Sequence, residues 1–160
     1  MKFSDFILKD SIITDLKSTT KEGVIREMVQ ALVDAHGIQE EDMEEVVKVV
    51  RDREELGSTG IGHGVAVPHA KHASTDRLVG TVAISPGEGV NFESLDCENV
   101  NLFFLLVSPP DLPGDHLRAL EHVTHKLKDD QFLRFLKQAK TREDVLSLLD
   151  EADSQDEGAN

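Results

Sequence analysis

Residues 100 to 107 form a nearly continuous apolar run, Val-Asn-Leu-Phe-Phe-Leu-Leu-Val. A strand with one face in water alternates apolar and polar side chains, so this run is typical of a central strand buried on both faces. Such a strand needs a layer of structure on each side. The run therefore predicts an α/β fold, with a central mixed β-sheet flanked by helices on both faces.

Other patterns supply the remaining elements. Two further strands are predicted at 65–67, where Pro68 ends the strand, and at 78–84. Apolar residues at helical spacing predict helices at about 20–36, 40–54, 115–129 and 130–139, and a last one opened by Thr141 with Asp144. We expect Thr19 to begin the first helix and Asp115 to cap the third. The domain is assigned to 1–153, and 154–160 is expected to be a disordered acidic tail.

Composition excludes several classes of function. The 160 residues carry a formal net charge of −14 and lack Trp and Tyr, which disfavours nucleic-acid binding. No apolar stretch is long enough to insert in a membrane, and the N-terminus lacks the features of a signal peptide, so we expect a cytoplasmic protein. The lone cysteine, Cys97, is expected to be a small buried or half-buried side chain.

A glycine-rich segment precedes His69. Gly60, Gly62 and Gly64 leave room for backbone N–H groups to approach an anion, and Pro68 restricts the backbone just before the histidine. These features predict an imidazole held at the end of a strand, suited to in-line attack on phosphorus. A plain turn explains the same pattern. The spacing matches neither a Walker A loop nor a dinucleotide fingerprint.

The remaining histidines need sorting, because the chain has seven. On the helix at 115–129, His116 falls on the apolar stripe at the first turn, whereas His122 and His125 fall on the opposite, solvated face. His116 is either a rim histidine bonded to a carbonyl group or a half-buried functional residue. Periodicity alone favours the first reading.

A metal centre is disfavoured by the spacing of the nearby histidines. His63, His69 and His72 lie close together in the sequence, but no pair has the helical spacing of a zinc protease. We expect neither a metal nor a cofactor. The chain contains no Gly-x-Ser-x-Gly elbow, so the sequence does not indicate a serine hydrolase.

The segment from Arg53 to His69, REELGSTGIGHGVAVPH, resembles the active-site signature of a known family. That family is the IIA domains of the fructose/mannitol class in the bacterial phosphoenolpyruvate-dependent phosphotransferase system. The resemblance covers roughly residues 3 to 150, includes Asp115-His116-Leu117, and is strongest toward the free-standing, nitrogen-regulatory members.

This resemblance implies roles for individual residues. It implies that His69 accepts the phosphoryl group, that His116 is a second active-site histidine, and that Arg53 neutralises phosphoryl oxygens. It also implies that the phosphate-binding loop comprises Gly60, Gly62, His63 and Gly64.

Two positions depart from the family pattern. Ala70 replaces the usual glycine and requires a backbone conformation open to a side chain. His63 replaces a residue that is often asparagine. It either touches the phosphoryl group or faces water, and we favour water.

The resemblance implies a phosphoryl carrier that accepts phosphate from an HPr-like carrier protein. We expect no appended IIB or membrane IIC segment, and this expectation favours a regulatory role over dedicated sugar uptake. An alternative is a regulatory binding module whose phosphorylation state controls its partners without onward transfer. The expected partners are the HPr-like carrier and either regulated proteins or a IIB domain. A metal-binding domain is a third, remote hypothesis.

Overall fold

The computed structural model describes residues 1–158, with side chains described as far as residue 155. The strands are β1 (Gly60–Gly62), β2 (Val65–Ala66), β3 (His69–Lys71), β4 (Val79–Ile84) and β5 (Leu102–Ser108). The helices are α1 (Lys21–Asp34), α2 (Met43–Leu56), α3 (Pro113–Lys126), α4 (Asp130–Gln138) and α5 (Arg142–Gly158). Short 3-10 turns lie at Phe3–Asp5, Lys9–Ser11 and Glu40–Asp42.

Strand β5 is the centre of a mixed, five-stranded sheet. Strand β4 pairs antiparallel with it on one side. On the other side β2 and β3 lie one after the other along β5, both parallel to it, and β1 pairs antiparallel with β2. The apolar run thus forms the central strand, as predicted.

Alternate residues of β5 point into two separate hydrophobic layers. Leu102, Phe104 and Leu106 pack in a cluster with apolar residues of α3, α4 and α5. Phe103 and Leu105 pack in the opposite cluster with apolar residues of α1 and α2. The prediction of a sheet covered by helices on both faces is therefore confirmed.

Pro68 separates β2 from β3 but does not end the extended segment. The prediction that His69 lies at the end of a strand is wrong, because His69 begins β3 opposite Leu106 of β5. Proline lacks an N–H group and cannot donate to the ladder, yet the Pro68 carbonyl oxygen still accepts from the Leu106 amide at 3.1 Å. The chain therefore interrupts its pairing at the proline and resumes it at the histidine.

Several helix ends differ from the predictions. The first helix is capped by Thr20, whose hydroxyl accepts from the Gly23 amide, and not by Thr19. Helix α3 begins at Pro113, so Asp115 lies within its first turn and is not the cap. Proline suits this position because the first amide of a helix has no partner inside the helix.

The last helix begins as expected and extends into the segment assigned to the tail. The Thr141 hydroxyl accepts from the Asp144 amide at 3.1 Å, while the Asp144 carboxylate accepts from the Thr141 amide at 3.3 Å. The helix runs to Gly158, so it includes 154–158, and residues 159 and 160 lie outside the described part of the chain. The domain boundary at 153 stays a prediction.

Two further observations concern the chain as a whole. Cys97 is exposed in the loop before β5, with φ of 62°, so the expectation of a buried thiol is wrong. Through residue 158, none of the helices combines the length and the apolar character that crossing a membrane requires.

Candidate active site

The ring of His69 is fixed by a backbone carbonyl group two residues before it. Its Nδ1 atom lies 2.9 Å from the Val67 oxygen. A carbonyl oxygen can only accept a hydrogen bond, so Nδ1 carries the proton and donates it. The other ring nitrogen, Nε2, therefore keeps its lone pair in the neutral ring, as a nucleophile requires.

A second imidazole lies against the first. The ring centroids of His69 and His116 are 5.3 Å apart, with the rings at 62° to each other. His116 lies in the first turn of α3, is 5% exposed, and its Nδ1 is 2.6 Å from the Ser108 hydroxyl oxygen. The helix after β5 thus delivers His116 to β3, which pairs with the same strand. His116 is therefore more deeply buried than we expected for a residue at the rim of the domain. Its partner is a hydroxyl group and not a carbonyl group.

Both imidazoles favour the uncharged form. Burial lowers the pKa of His69 below its ordinary value; the bond to Val67 opposes this effect, and the charge of Arg53 adds to it. Burial, with smaller contributions from His69 and Lys71, lowers the pKa of His116 to about 4. Since desolvation penalises the charged ring, both histidines are neutral near pH 7.

Arg53 lies on the last turn of α2, next to this pair. Its Nη1 atom donates to the Gly57 carbonyl oxygen at 2.8 Å, which ties the guanidinium to the start of the glycine-rich segment. Its charge lowers the pKa of His69, by less than burial does. The structure therefore places His69 against His116, with the charge of Arg53 acting on His69, and the roles of the three residues stay predictions.

The glycine-rich segment is partly a strand and not only a loop. Gly60 and Gly62 lie in β1, and His63 and Gly64 form the turn to β2, with φ of 57° and 77°. His63 has an exposed side chain, and its carbonyl oxygen accepts a hydrogen bond from Lys137 of α4. The role of this segment in phosphate binding stays a prediction.

The two departures from the family pattern have clear structural settings. Ala70 is buried in β3 opposite Val107, where the extended backbone accommodates a side chain. His63 occupies the left-handed region, which asparagine tolerates better than most residues, so the usual asparagine fits the same backbone.

Sequence reasoning missed three residues of this region. Glu54 is buried at the end of α2, Ser108 ends β5 beneath His116, and the charge of Lys71 lowers the pKa of both His69 and His116. Glu54 was not predicted, because a glutamate at the end of a helix is normally exposed to solvent. A serine closing an apolar run was the only available signal for Ser108.

The other histidines lie elsewhere. His125 is exposed, as predicted, but the prediction of a solvated His122 is wrong. The His122 side chain is 10% exposed, and its ring lies 4.6 Å from that of Phe3. His72 pairs with Glu45 of α2 at 3.4 Å. Within residues 1–158, no cluster of three or more His, Cys, Asp or Glu side chains is arranged to hold a metal ion.

Residues 5–152 match the family described as "Phosphoenolpyruvate-dependent sugar phosphotransferase system, EIIA 2". This chain belongs to that family. The EIIA type-2 domain is 30% identical over 149 residues to a nitrogen regulatory protein of Bradyrhizobium diazoefficiens, covering 93% of this chain and 95% of that relative.

Solved structures give the same assignment for the fold. The nitrogen regulatory protein IIA-Ntr from Neisseria meningitidis has a TM-score of 0.81 at 27% identity, over 92% of this chain and 98% of that one. Mannitol IIA from Escherichia coli, solved with phosphorylated mannitol IIB, has a TM-score of 0.74 at 24% identity, over 89% and 95% of the two chains. The second likeness shows the fold alone.

Family membership defines the general activity of the EIIA type-2 domain. It is a phosphocarrier component of the phosphoenolpyruvate-dependent phosphotransferase system and acts as a phosphotransferase through a phosphohistidine. Its relatives include nitrogen regulatory proteins.

Proposed function

We propose that His69 is the phosphorylated residue and that its Nε2 atom is the nucleophile. The main support is the 2.9 Å hydrogen bond from Nδ1 to the Val67 oxygen, which leaves the lone pair on Nε2. Burial supports the same assignment, because it lowers the pKa of His69 and keeps the ring neutral. A neutral imidazole beside a fixed cation suits phosphoryl transfer.

The reaction exchanges one nitrogen–phosphorus bond for another. The Nε2 lone pair of His69 attacks the phosphorus of a phosphohistidine on an HPr-like donor. The bond from phosphorus to the donor ring breaks, and its electron pair returns to that ring. The Nδ1 proton of His69 stays in place, where the Val67 carbonyl stabilises the positive charge left on the phosphorylated ring.

His116 and Arg53 stabilise the transferring group in this proposal. When the Ser108 hydroxyl donates to Nδ1 of His116, the proton of that neutral ring lies on Nε2, which donates to a phosphoryl oxygen. Arg53 supplies the positive charge that a phosphoryl group requires. His116 is thus a donor of fixed orientation and Arg53 a counter-charge.

The proposed donor is an HPr-like carrier, and the proposed branch is regulatory. Two nitrogen regulatory relatives support the branch, since they match this chain over nearly its full length. A IIB domain is proposed as a second partner; mannitol IIA, which shares the fold, was solved in complex with phosphorylated IIB. A cytoplasmic location stays a prediction.

Labelling tests the phosphorylated residue. The protein is incubated with labelled phosphoenolpyruvate, enzyme I and an HPr-type carrier, and the product is examined for acid-labile, base-stable phosphate. We expect one phosphoryl group on wild type, none on His69→Ala, and full labelling of His125→Ala, whose exposed histidine lies on α3. Persistent labelling of folded His69→Ala would contradict the proposal.

A second measurement separates a relay from a regulatory module. Phosphorylated protein is mixed with a IIB domain and its sugar, or with unphosphorylated carrier alone. Loss of label to both acceptors indicates a relay. Loss only to the carrier favours the alternative, in which phosphorylation controls protein partners without onward transfer.

A further inference from the structure

The carboxylate of Glu54 is buried beside the glycine-rich segment. Glu54 is 4% exposed, at the end of α2, and its two carboxylate oxygens each lie 3.2 Å from the amide nitrogen of Thr59. The Thr59 hydroxyl donates to the same carboxylate. Thr59 is therefore held through both its backbone and its side chain by one residue of the helix.

Lys21 of α1 neutralises this buried carboxylate. Its Nζ atom lies 2.9 Å from Glu54, with the two side chains 20% and 2% exposed. The same ammonium group donates to the Phe92 carbonyl at 3.2 Å and lies 4.7 Å from the centre of the Phe92 ring. A buried carboxylate is stable only when its charge and lone pairs are satisfied, and Lys21 and Thr59 together satisfy them.

From Thr59 the hydrogen bonds continue to the ring of His69. The Thr59 carbonyl oxygen accepts from the Val67 amide at 3.0 Å, and the Val67 carbonyl accepts from His69 Nδ1 at 2.9 Å. Thr59 and Val67 are 7% and 2% exposed, so water does not compete for these groups. An unbroken path of hydrogen bonds thus joins Glu54 to the nucleophile.

The location of Thr59 explains why such a path is needed. Thr59 lies between Gly57 and Gly60, in a segment whose glycines allow many backbone conformations. A small displacement of Thr59 would move Val67, and with it the carbonyl group that orients His69. Phosphoryl transfer depends on in-line geometry, so such a displacement slows the reaction.

We propose that Glu54, held by Lys21, is a positioning residue that sets the orientation and tautomer of His69 through Thr59 and Val67. This inference rests on the proposed role of His69. Glu54 touches no phosphoryl group: it holds the backbone that orients His69, and its negative charge also raises the pKa of that ring, against the larger effect of burial. Lys21 belongs to α1, so the packing of α1 against α2 is part of the support for the nucleophile.

A second ion pair between the same two helices supplies the matched control. Arg26 of α1 binds Glu44 of α2 at 2.5 Å, with side chains 43% and 75% exposed. If Glu54 only held the helices together, its loss would lower the stability more than loss of the surface pair, but neither loss would change the tautomer of His69. A positioning role distinguishes them, because only Glu54 is connected to Val67.

The test compares Glu54→Gln and Thr59→Val with Glu44→Gln and Thr59→Ser. Transfer rates are measured over a range of carrier concentrations, and nitrogen-15 shifts of the His69 ring report its tautomer. Glu54→Gln removes the negative charge, and Thr59→Val removes only the hydrogen bond from the Thr59 hydroxyl to Glu54. Misplacement of reacting groups costs up to about 100-fold, so we expect at least a tenfold lower kcat for Glu54→Gln.

The expected pattern is specific. KM for the carrier stays unchanged in all four variants, and the His69 ring loses its single tautomer in Glu54→Gln and, to a smaller degree, in Thr59→Val. Glu44→Gln and Thr59→Ser retain the wild-type tautomer and rate. Should Glu54→Gln not fold, Thr59→Val decides, because it retains the ion pair.

A wild-type tautomer and a wild-type kcat in folded Glu54→Gln, or in Thr59→Val when only that variant folds, would overturn the positioning role. Failure of the proposed function looks different. In that case wild type itself takes up no phosphate on His69, while the ring shifts still report whether Glu54 orients the imidazole.

Discussion

The rings of His69 and His116 meet edge to face, with their centroids 5.3 Å apart. Each ring is anchored through Nδ1, one to the Val67 carbonyl oxygen and the other to the Ser108 hydroxyl. Strand β5 connects the two sites, because β3, which begins at His69, pairs with it, and Ser108, the partner of His116, is its last residue. The two imidazoles are therefore oriented by the sheet before any partner binds, which lowers the cost of aligning the phosphoryl group.

Ser108→Ala is expected to slow transfer about tenfold while leaving the carrier KM unchanged. The substitution removes the 2.6 Å partner of His116 Nδ1 and releases the tautomer of that ring. Loss of one partner of a buried hydrogen bond costs about 1–3 kcal/mol, and about 1.4 kcal/mol corresponds to tenfold in rate. Rapid-quench labelling measures the effect. Ser147→Ala, on the exposed face of α5, is the control, and equal rates in the two variants would refute the role of Ser108.

Acidification should destabilise the fold through His116. The unfolded histidine takes up a proton near pH 6.5, but the folded one does so only near its pKa of about 4. Between these values the unfolded state binds more protons, so the free energy of unfolding falls as the pH falls. The shift amounts to about 3 kcal/mol at most.

His116→Gln should therefore show a weaker dependence of stability on pH between about 4 and about 6.5. Urea denaturation at several pH values measures the slope. The slope is compared, and not the stability itself, because the substitution also alters the bond to Ser108. His125→Gln, which changes an exposed histidine of the same helix, should retain the wild-type slope. An unchanged slope in His116→Gln would contradict a neutral, buried His116.

Arg53→Gln should raise the pKa of His69 and slow phosphorylation. The guanidinium charge is one cause of the lowered pKa of His69, so its removal lets the ring take up a proton at higher pH. The neutral form is the nucleophile, and activity is therefore lost at a higher pH on acidification. Titration of the ring by NMR gives the pKa, with Arg51→Gln as the control, since Arg51 pairs with Glu22 on the surface. If the pKa of His69 does not rise in Arg53→Gln, the charge of Arg53 does not act on that ring.

Gly64→Ala should be more destabilising than Gly87→Ala, although both glycines have a positive φ, of 77° and 73°. A β-carbon at position 64 would lie 2.8 Å from Asn101 Oδ1 and 3.0 Å from Lys137 Nζ, whereas nothing lies within 4 Å of one at position 87. Both variants carry the backbone strain, and only the first also displaces the Asn101 amide and the Lys137 ammonium, which weakens the bond from Lys137 to the His63 carbonyl by about 1 kcal/mol. Thermal and urea denaturation measure the loss of stability in each variant. Equal losses would show that the side chains around position 64 rearrange at no cost.

Much of the fold could be predicted because its signals are local. The apolar run at 100–107 predicted the central strand, and helical spacing with capping residues predicted the first four helices and the start of the fifth to within a few residues. Strand β3 was missed, because Pro68 marks a break in a ladder only when the pairing partner is known. The position of Cys97 was predicted wrongly for a similar reason, since exposure in a loop leaves no periodic signal.

The sequence, with its family resemblance, predicted which residue types take part in the chemistry: an arginine, a glycine-rich segment, a Pro-His pair and a later histidine at the start of a helix. Their arrangement in space depends on the fold. The Val67 carbonyl binds Nδ1 of His69 and leaves Nε2 free, the Ser108 hydroxyl contacts His116, and the buried Glu54 carboxylate binds Thr59 in the glycine-rich segment. His122, which periodicity placed in solvent, packs against Phe3 near the other end of the chain. The reason is physical: burial and hydrogen-bond partners depend on residues far apart in sequence, whereas periodicity reports only the near neighbours of each residue.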